Sequence, residues 1–246
     1  MNASDQAVEG IVQLLIQHEY RPGDRLFETT LTERLKMSRT PIRVALTHLV
    51  ACGFLEKAPR QKGYLIPVLL PGDMRLVYET RGLLEGALAA QAARNRSRED
   101  AEALRANCRL ENAAFDAYDR KTYSECNERF HLSVAKYAQN PYLEHCLNQV
   151  FWRSRLYDFY FSGFYDGPLT KDKKQRCRSC GEHLGIVDAI EAEDSSLAKK
   201  LMESHITNTY EVMVNPDWLE EHETRDAAEE DGRGYEIREN EVAKGM

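Results

Sequence analysis

Residues 30–49 read TLTERLKMSRTPIRVALTHL and predict two short helices joined by a tight corner. Thr30 and Glu33 have the spacing of a capping box, which would begin the first helix. Ser38 can cap the second helix, and Pro41 falls within its first turn, where the missing N–H costs little. Two such helices in succession are typical of a helix-turn-helix, whose second helix enters the major groove of DNA.

The second of these helices is predicted to have an apolar and a polar side. Ile42, Leu46 and Leu49 recur at helical spacing and would rest on a core. The opposite side leaves four polar residues free to face DNA: Arg39, Thr40, Arg43 and Thr47.

The flanking segments predict a winged helix. Residues 4–18 carry apolar side chains at helical spacing and would form a third helix beneath the pair. Two short apolar runs, at residues 53–57 and 64–67, flank a basic turn that contains glycine, as in a β-hairpin.

Charge is distributed unevenly along the chain. Residues 34–62 contain seven Lys or Arg against one acid, Glu56, although the whole chain carries a net charge of −7. Residues 1–70 sum to +2 and the remainder to −9. This asymmetry predicts that the first part binds nucleic acid and the second part does not. A solvated basic face on a small helical domain is the alternative.

From Pro71 onward the pattern is helical, without the alternation of strands. We expect a mostly α protein with a winged helix-turn-helix and small β-hairpin wing at residues 1–70, an antiparallel six-helix bundle at residues 71–215, and an acidic tail at residues 216–246. A single helix at residues 219–230 remains an option within the tail. The six helices are predicted at about residues 72–95, 98–119, 121–138, 142–162, 172–193 and 195–214.

Three histidines of the predicted bundle lie on apolar helix faces. Asn127 and His131 are four residues apart on one face, and His183 and His205 each belong to an apolar stripe of another helix. One such histidine alone is usually a hydrogen-bonded core residue. Three of them with a polar partner favour a shared divalent metal, with Zn the first candidate and Ni, Fe, Mn or Cu as alternatives.

The segments PGDRL, SRTPIRVAL and KGY, in this order, resemble the N-terminal domain of GntR-type bacterial transcription regulators over about residues 6–67. Val44 and Met37 depart from the residues usual in that family, but neither is an implied DNA contact. The resemblance implies recognition-helix contacts from Arg39, Thr40 and Arg43, phosphate contacts from Arg34 and Ser38, and wing-tip contacts from Lys62 and Gly63.

The segments NERFHLSVAKYAQNPYL and EHLGIVDAI resemble the metal-binding FCD domain of the FadR branch of these regulators, over about residues 72–213. With six predicted helices rather than seven, this part of the chain resembles the VanR-like subgroup of that branch. The resemblance implies metal ligation by Asn127, His131, His183 and His205. Asn127 stands where the family usually has Asp, which predicts weaker metal retention and stronger attraction of an anionic effector.

The resemblance also implies an effector pocket at the metal. Arg81 matches an inward arginine of the family and can hold a carboxylate in a bidentate fork. An ion pair with Glu85 on a solvent face is the alternative. Arg153 and Arg155 are further candidates, of which one should face outward, and the aromatic residues around them make an aromatic acid one of the possible effectors.

Cys177 and Cys180 lie just before His183 and form a CxxC pair. They could bind zinc or sense redox state, but a single CxxC is more often incidental. In a reducing compartment all six cysteines should be free thiols.

Together these features predict a cytoplasmic homodimer that binds double-stranded operator DNA, most often as a repressor, under control of a small carboxylate, with no membrane segment. A metal-sensing regulator is the first alternative. A metal-dependent enzyme with a DNA-binding appendage is disfavoured, because Glu128 and Glu182, the nearest carboxylates, start from helix faces other than those of the histidines.

Overall fold

A computed structural model of the chain describes residues 2–58, 62–161 and 173–214, except the side chains of residues 173–178. The predicted tail and its optional helix lie outside the described residues. So does the tip of the wing at residues 59–61.

The first part of the chain is three helices and a small sheet. The elements are α1 (Ala3–Ile16), β1 (Arg25–Leu26), α2 (Glu28–Leu35), α3 (Arg39–Ala51), β2 (Glu56–Lys57) and β3 (Tyr64–Leu65). The three strands are antiparallel in the order β1-β3-β2. The predicted hairpin is therefore present as β2 and β3. The sequence did not reveal β1, because two residues show no alternation.

The start of the helix-turn-helix differs from the prediction. Helix α2 begins at Glu28, so Thr30 and Glu33 lie inside the helix and do not form a capping box. Ser38 does occupy the N-cap of α3, although its side chain makes no capping hydrogen bond. Helix α1 instead has a capping box, between Asn2 and Asp5.

The predicted faces of α3 are confirmed. Ile42, Leu46 and Leu49 are fully buried. They pack in a core that includes Ile11 of α1 and Phe54, which follows α3. The polar side of α3 is exposed to solvent and remains available to a ligand.

The described second part is helical throughout. Its helices are α4 (Pro71–Asn95), α5 (Arg98–Asp116), α6 (Arg120–Tyr137), α7 (Pro141–Phe161), α8 (Lys173–Glu191) and α9 (Ser195–Met213), each within three residues of its predicted bounds. Ser97 and Asp100 form a capping box that fixes the start of α5, and Asp119 caps α6. No helix in the described part of the chain is long and apolar enough to span a membrane.

Helix α7 is the surface on which the winged helix rests. The ring of Phe54 meets Trp152 and Phe159 edge to face, with centroids 5.6 and 6.2 Å apart. The hydroxyl of Tyr160 donates a 2.8 Å hydrogen bond to the carbonyl of Tyr20. One helix of the second part therefore holds both the end of α3 and the segment after α1.

Gly63 gives the first testable consequence of the fold. Its φ is +106°, and a Cβ there would lie 2.9 Å from the carbonyl oxygen of Leu26, a backbone atom that cannot turn aside. We expect Gly63→Ala to lower the free energy of unfolding by about 1–3 kcal/mol, measured by urea denaturation.

Gly82→Ala is the matched control, because Gly82 lies inside α4 and a Cβ there has no neighbour within 4 Å. Alanine should stabilise that helix by up to about 1 kcal/mol. Equal stability of the two variants would contradict the proposed strain at Gly63.

Candidate functional site

Three histidine rings converge in the interior of the second part. His131 comes from α6, His183 from α8 and His205 from α9, and all three are almost completely buried. One ring nitrogen of each lies within 4.8 Å of the others. The Nε2 atoms of His183 and His205 are only 3.1 Å apart. The structure thus brings together the three histidines that the sequence singled out.

Each histidine binds a carboxylate through its other ring nitrogen. The three glutamates come from three helices, α4, α5 and α8, so the cluster joins five helices. The pairs are His131 Nδ1 with Glu85 at 2.5 Å, His183 Nδ1 with Glu111 at 2.8 Å, and His205 Nδ1 with Glu182 at 2.9 Å.

Arg81 reaches the cluster through Glu85. Its Nε donates to Glu85 Oε1 at 2.7 Å, while the other oxygen of Glu85 binds His131. Its Nη1 donates to the hydroxyl of Ser154 at 3.0 Å. The sequence left open an inward arginine or an Arg81–Glu85 pair on a solvent face. The pair is present, but its side chains are only 4% and 2% exposed, so it faces the interior.

Charge and burial act in opposite directions on this pair of acid and base. Burial alone would raise the pKa of Glu85, but the neighbouring Arg81 and His131 outweigh it and lower that pKa to about 2. Burial lowers the pKa of His131 to about 3, against the opposing effect of Glu85. The carboxylate is therefore ionised and the imidazole neutral at pH 7. A neutral imidazole has the lone pair that a metal requires.

The hydrogen bonds from the three glutamates to the histidines were not predicted from the sequence. Glu182 was not expected at the site because it lies on a different face of α8 from His183. That placement holds within α8, but the carboxylate crosses to His205 on α9. Glu85 had one detectable feature, its spacing of four from Arg81. Glu111 had none, because its partner is 72 residues away.

Asn127 lies one turn before His131 on α6 and is half-buried. Its amide makes no hydrogen bond to the described residues. Its predicted role as a ligand stays a prediction.

Arg153 and Arg155 are both engaged outside the histidine cluster. Arg153 donates to Asp73 Oδ2 at 2.9 Å and to the carbonyl of Val68 at 3.1 Å. Arg155 is buried, donates to Ser124 Oγ at 2.5 Å and lies 4.6 Å from the ring centre of Phe159. Arg153 is the outer of the two arginines, with 16% of its side chain exposed against 4% for Arg155, although both bind neighbouring elements.

Arg155 also lines a cleft of about 1190 Å³ between the winged helix and the second part. Helices α1 and α3 form one wall, with Val12 and Val44, and helices α6 and α7 the other, with Glu128 and Trp152.

The implied DNA contacts of α3 and the wing lie at the surface. Ser38, Arg39, Thr40, Arg43 and Lys62 are exposed, and Gly63 is half-buried. Arg34 differs, because its Nη2 already binds Glu19 at 2.6 Å, although 58% of the Arg34 side chain is exposed.

The CxxC pair is only partly described. Cys180 is buried, and the side chain of Cys177 lies outside the described residues. Within the part that is described, Cys180 does not belong to the group of residues that could hold an ion with His183.

Comparison with known families gives two matches that follow the two parts of the chain. Residues 3–64 match the family described as bacterial regulatory proteins, gntR family. Residues 76–208 match the FCD domain, which covers more than half of the chain.

Similar proteins are regulators of transcription. The chain is 28% identical to the HTH-type transcriptional regulator LutR of Bacillus subtilis over 79% of its own length and 94% of that protein. It is 27% identical to a probable D-xylose utilization operon transcriptional repressor of Paenarthrobacter nicotinovorans over 82% of its length and 85% of that protein. The solved structure of E. coli McbR/YncC has the same fold, with a TM-score of 0.72 at 20% identity over 87% of this chain and 97% of that one.

The Arg81–Glu85 pair generates a prediction on stability. Arg81→Met would leave Glu85 charged and buried without its guanidinium. We expect it to lower the free energy of unfolding by about 3–5 kcal/mol in urea denaturation.

Arg75→Met on the same helix is the control, because Arg75 and Glu79 form a pair at the same 2.7 Å distance with both side chains more than half exposed. Its loss should stay below about 1 kcal/mol. Similar losses in the two variants would show that the buried pair carries no special weight.

Proposed function

Since this chain belongs to the gntR family of bacterial regulatory proteins and carries an FCD domain, we propose that it represses transcription under the control of a small carboxylate. It is a transcription regulator, and the FadR branch fits its FCD domain. The observation that carries the proposal is the buried histidine cluster, which is joined to Arg81 through Glu85. It lies in the helical part of the chain that follows the winged helix. The VanR-like subgroup is part of the proposal and is supported by the six helices described after Pro71.

A divalent metal held by His131, His183 and His205 is the second part of the proposal. Imidazole nitrogens suit Zn, Ni, Fe and Cu, and three rings at this spacing offer one nitrogen donor each. Glu111 Oε1 supports it, since this buried oxygen has no hydrogen-bond partner in the described structure and a nearby cation would offset its charge. When bound, such an ion supplies open coordination positions for an oxygen of the effector.

Arg81 is the residue that we propose binds the carboxylate of the effector. Its Nε and Nη1 are engaged, and Nη2 makes no hydrogen bond to the described residues. An aromatic acid has less support. The aromatic side chains Phe151, Tyr157 and Phe159 of α7 are fully buried and pack in the core. Relatives are named for different operons, those for Nta and for D-xylose utilization among them, so their names indicate no common effector.

Helix α7 is the route by which we propose that the effector influences DNA binding. Ser154 of α7 binds Arg81, and the next residue back, Arg153, binds Asp73 and the carbonyl of Val68 in the linker. Tyr157, one turn on, donates to Asp73 at 2.5 Å. A shift of Arg81 on binding a carboxylate would therefore move α7 against the linker and the winged helix. Operator affinity then changes by the difference in effector affinity between the two arrangements.

A two-fold dimer completes the proposal, because two recognition helices read the halves of a palindromic operator. Leu76 and Leu83 on α4 support pairing through the helical domains. They are 54% and 71% exposed on one face of the helix, apolar surface that a second copy would cover.

The metal-sensing regulator remains the second candidate, because the cluster would bind an ion whether or not Arg81 binds a carboxylate. The enzyme has no support from the site. Each glutamate there binds Nδ1, on the side of the imidazole away from the converging Nε2 atoms of His183 and His205, so it is not placed as a general base toward a metal-bound molecule.

DNA binding is tested with fragments that the wild-type protein selects from a random duplex library. We expect Arg43→Ala to weaken binding to a selected fragment by about 5–150-fold, the usual value of one base contact, in fluorescence anisotropy at fixed salt. Arg98→Ala is the control, since its side chain is 87% exposed and it belongs to α5, which is not part of the winged helix. Unchanged affinity in Arg43→Ala would remove α3 from the proposed DNA interface.

Metal binding is tested on the protein alone, and the effector is tested on its complex with a selected DNA fragment. We expect wild-type protein to retain Zn²⁺ in equilibrium dialysis and His183→Ala to lose it, since one of three donors is gone. The variant with both Cys177→Ser and Cys180→Ser should retain Zn²⁺, and loss of the ion from that variant would place the metal site at the thiols.

Small carboxylic acids should release selected DNA from the Zn²⁺-loaded protein, and they should not release it after the ion has been removed by a chelator. Release by Zn²⁺ alone would favour the metal sensor.

A further inference from the structure

We propose that Glu111 and Glu182 are positioning residues for the ion, which orient His183 and His205 and balance its charge. The proposal rests on the divalent metal proposed above. It concerns residues that do not touch the ion themselves and that act through the rings they hold.

The hydrogen bonds fix which nitrogen of each ring carries its proton. An ionised carboxylate only accepts hydrogen bonds, so Nδ1 of His183 and Nδ1 of His205 must both donate. In a neutral imidazole the remaining nitrogen, Nε2, then carries a lone pair and no proton. The two glutamates therefore turn both Nε2 atoms into donors toward a metal.

The resulting arrangement favours a cation beside the two Nε2 atoms. The two Nε2 atoms lie 3.1 Å apart inside the protein, so two lone pairs face each other. Such a contact is repulsive unless a positive charge lies beside both atoms. Without the carboxylates, one ring could carry its proton on Nε2 and donate a hydrogen bond to Nε2 of the other ring. Between two neutral rings, Glu111 and Glu182 exclude such a hydrogen bond.

The charges of the cluster also favour a divalent ion. Glu85, Glu111 and Glu182 are three carboxylates, and Arg81 compensates one of them through its bond to Glu85. Two negative charges remain around the three rings, and one divalent cation neutralises them. This count adds the carboxylates around the rings, which the expectation from Asn127 did not include, and that expectation stays a prediction.

Glu111 is the more costly of the two residues to keep without an ion. Its side chain is fully buried, His183 is its hydrogen-bond partner, and its Oε1 has none among the described residues. A charge so placed is unfavourable for folding unless something compensates it. Glu182 is less buried, and Asn208 holds its second oxygen at 2.6 Å, which fixes the direction of the carboxylate.

The test compares Glu111→Gln and Glu182→Gln with Glu102→Gln, an exposed glutamate of α5 that pairs with Arg98. Glutamine keeps the size of the side chain and removes its charge. Affinity for Zn²⁺ is measured by competition with a chromophoric chelator, and Tm is measured with and without the ion. We expect each of the two variants to bind Zn²⁺ about 10–100-fold more weakly than Glu102→Gln.

The thermal measurement separates positioning from a structural role. A structural glutamate would lower the Tm of the ion-free protein when replaced. Removing a charge that only the ion compensates should leave that Tm unchanged or raise it, and should reduce the rise in Tm on adding Zn²⁺.

Two outcomes would overturn the inference. One is Zn²⁺ affinity in both variants within about threefold of Glu102→Gln. The other is a lower ion-free Tm with an undiminished response to Zn²⁺. If Glu111→Gln does not fold, the partly exposed Glu182 decides the question alone. Failure of the wild type to bind Zn²⁺ or Co²⁺ would instead remove the proposed metal and this inference with it.

Discussion

The ion pair between Arg81 and Glu85 is the constraint on which the interior of the helical part depends. Glu85 binds the guanidinium of Arg81 and the ring of His131 at once, so without it Arg81 would keep its bond to Ser154 but lose its counter-charge, and Nδ1 of His131 would lose its partner. Because unpaired charge is costly in a protein interior, α4, α6 and α7 have little freedom to rearrange independently. Through His131 these bonds also connect α4 and α7 to the histidine cluster.

Helix α7 gives the cluster a physical connection to the rest of the molecule. One of its faces carries Phe151 and Ser154 toward the buried arginine, with Phe151 5.0 Å from the guanidinium. Other positions of the same helix bind the linker and the ring of Phe54. A rigid helix that contacts both ends requires no further relay between them. Arg153 and Arg155 of this helix accordingly make structural contacts, Arg153 with the linker and Arg155 with Ser124 and Phe159.

The sequence predicted those features that depend on neighbours along the chain. Helical periodicity located all six described helices after Pro71 within three residues, and the inward faces of His131, His183 and His205 followed from the same spacing. Contacts between distant helices were not predictable. The bond from Glu182 to His205 and the bond from Glu111 to His183 join residues on different helices, and neither has a local pattern. The two-residue strand β1 escaped for a related reason, since it is set by pairing with β3, about 40 residues along the chain.

The ion pair between Arg34 and Glu19 affects how strongly this part of the surface attracts DNA phosphates. An arginine already paired with a carboxylate brings little net attraction, because a phosphate must displace Glu19 and then tolerate its negative charge nearby. Such an exchange returns fewer condensed counterions to solution than a free arginine would. The ionic-strength dependence of the complex should thus be shallower than the number of exposed basic side chains suggests. Glu19 would therefore weaken non-specific binding to double-stranded DNA.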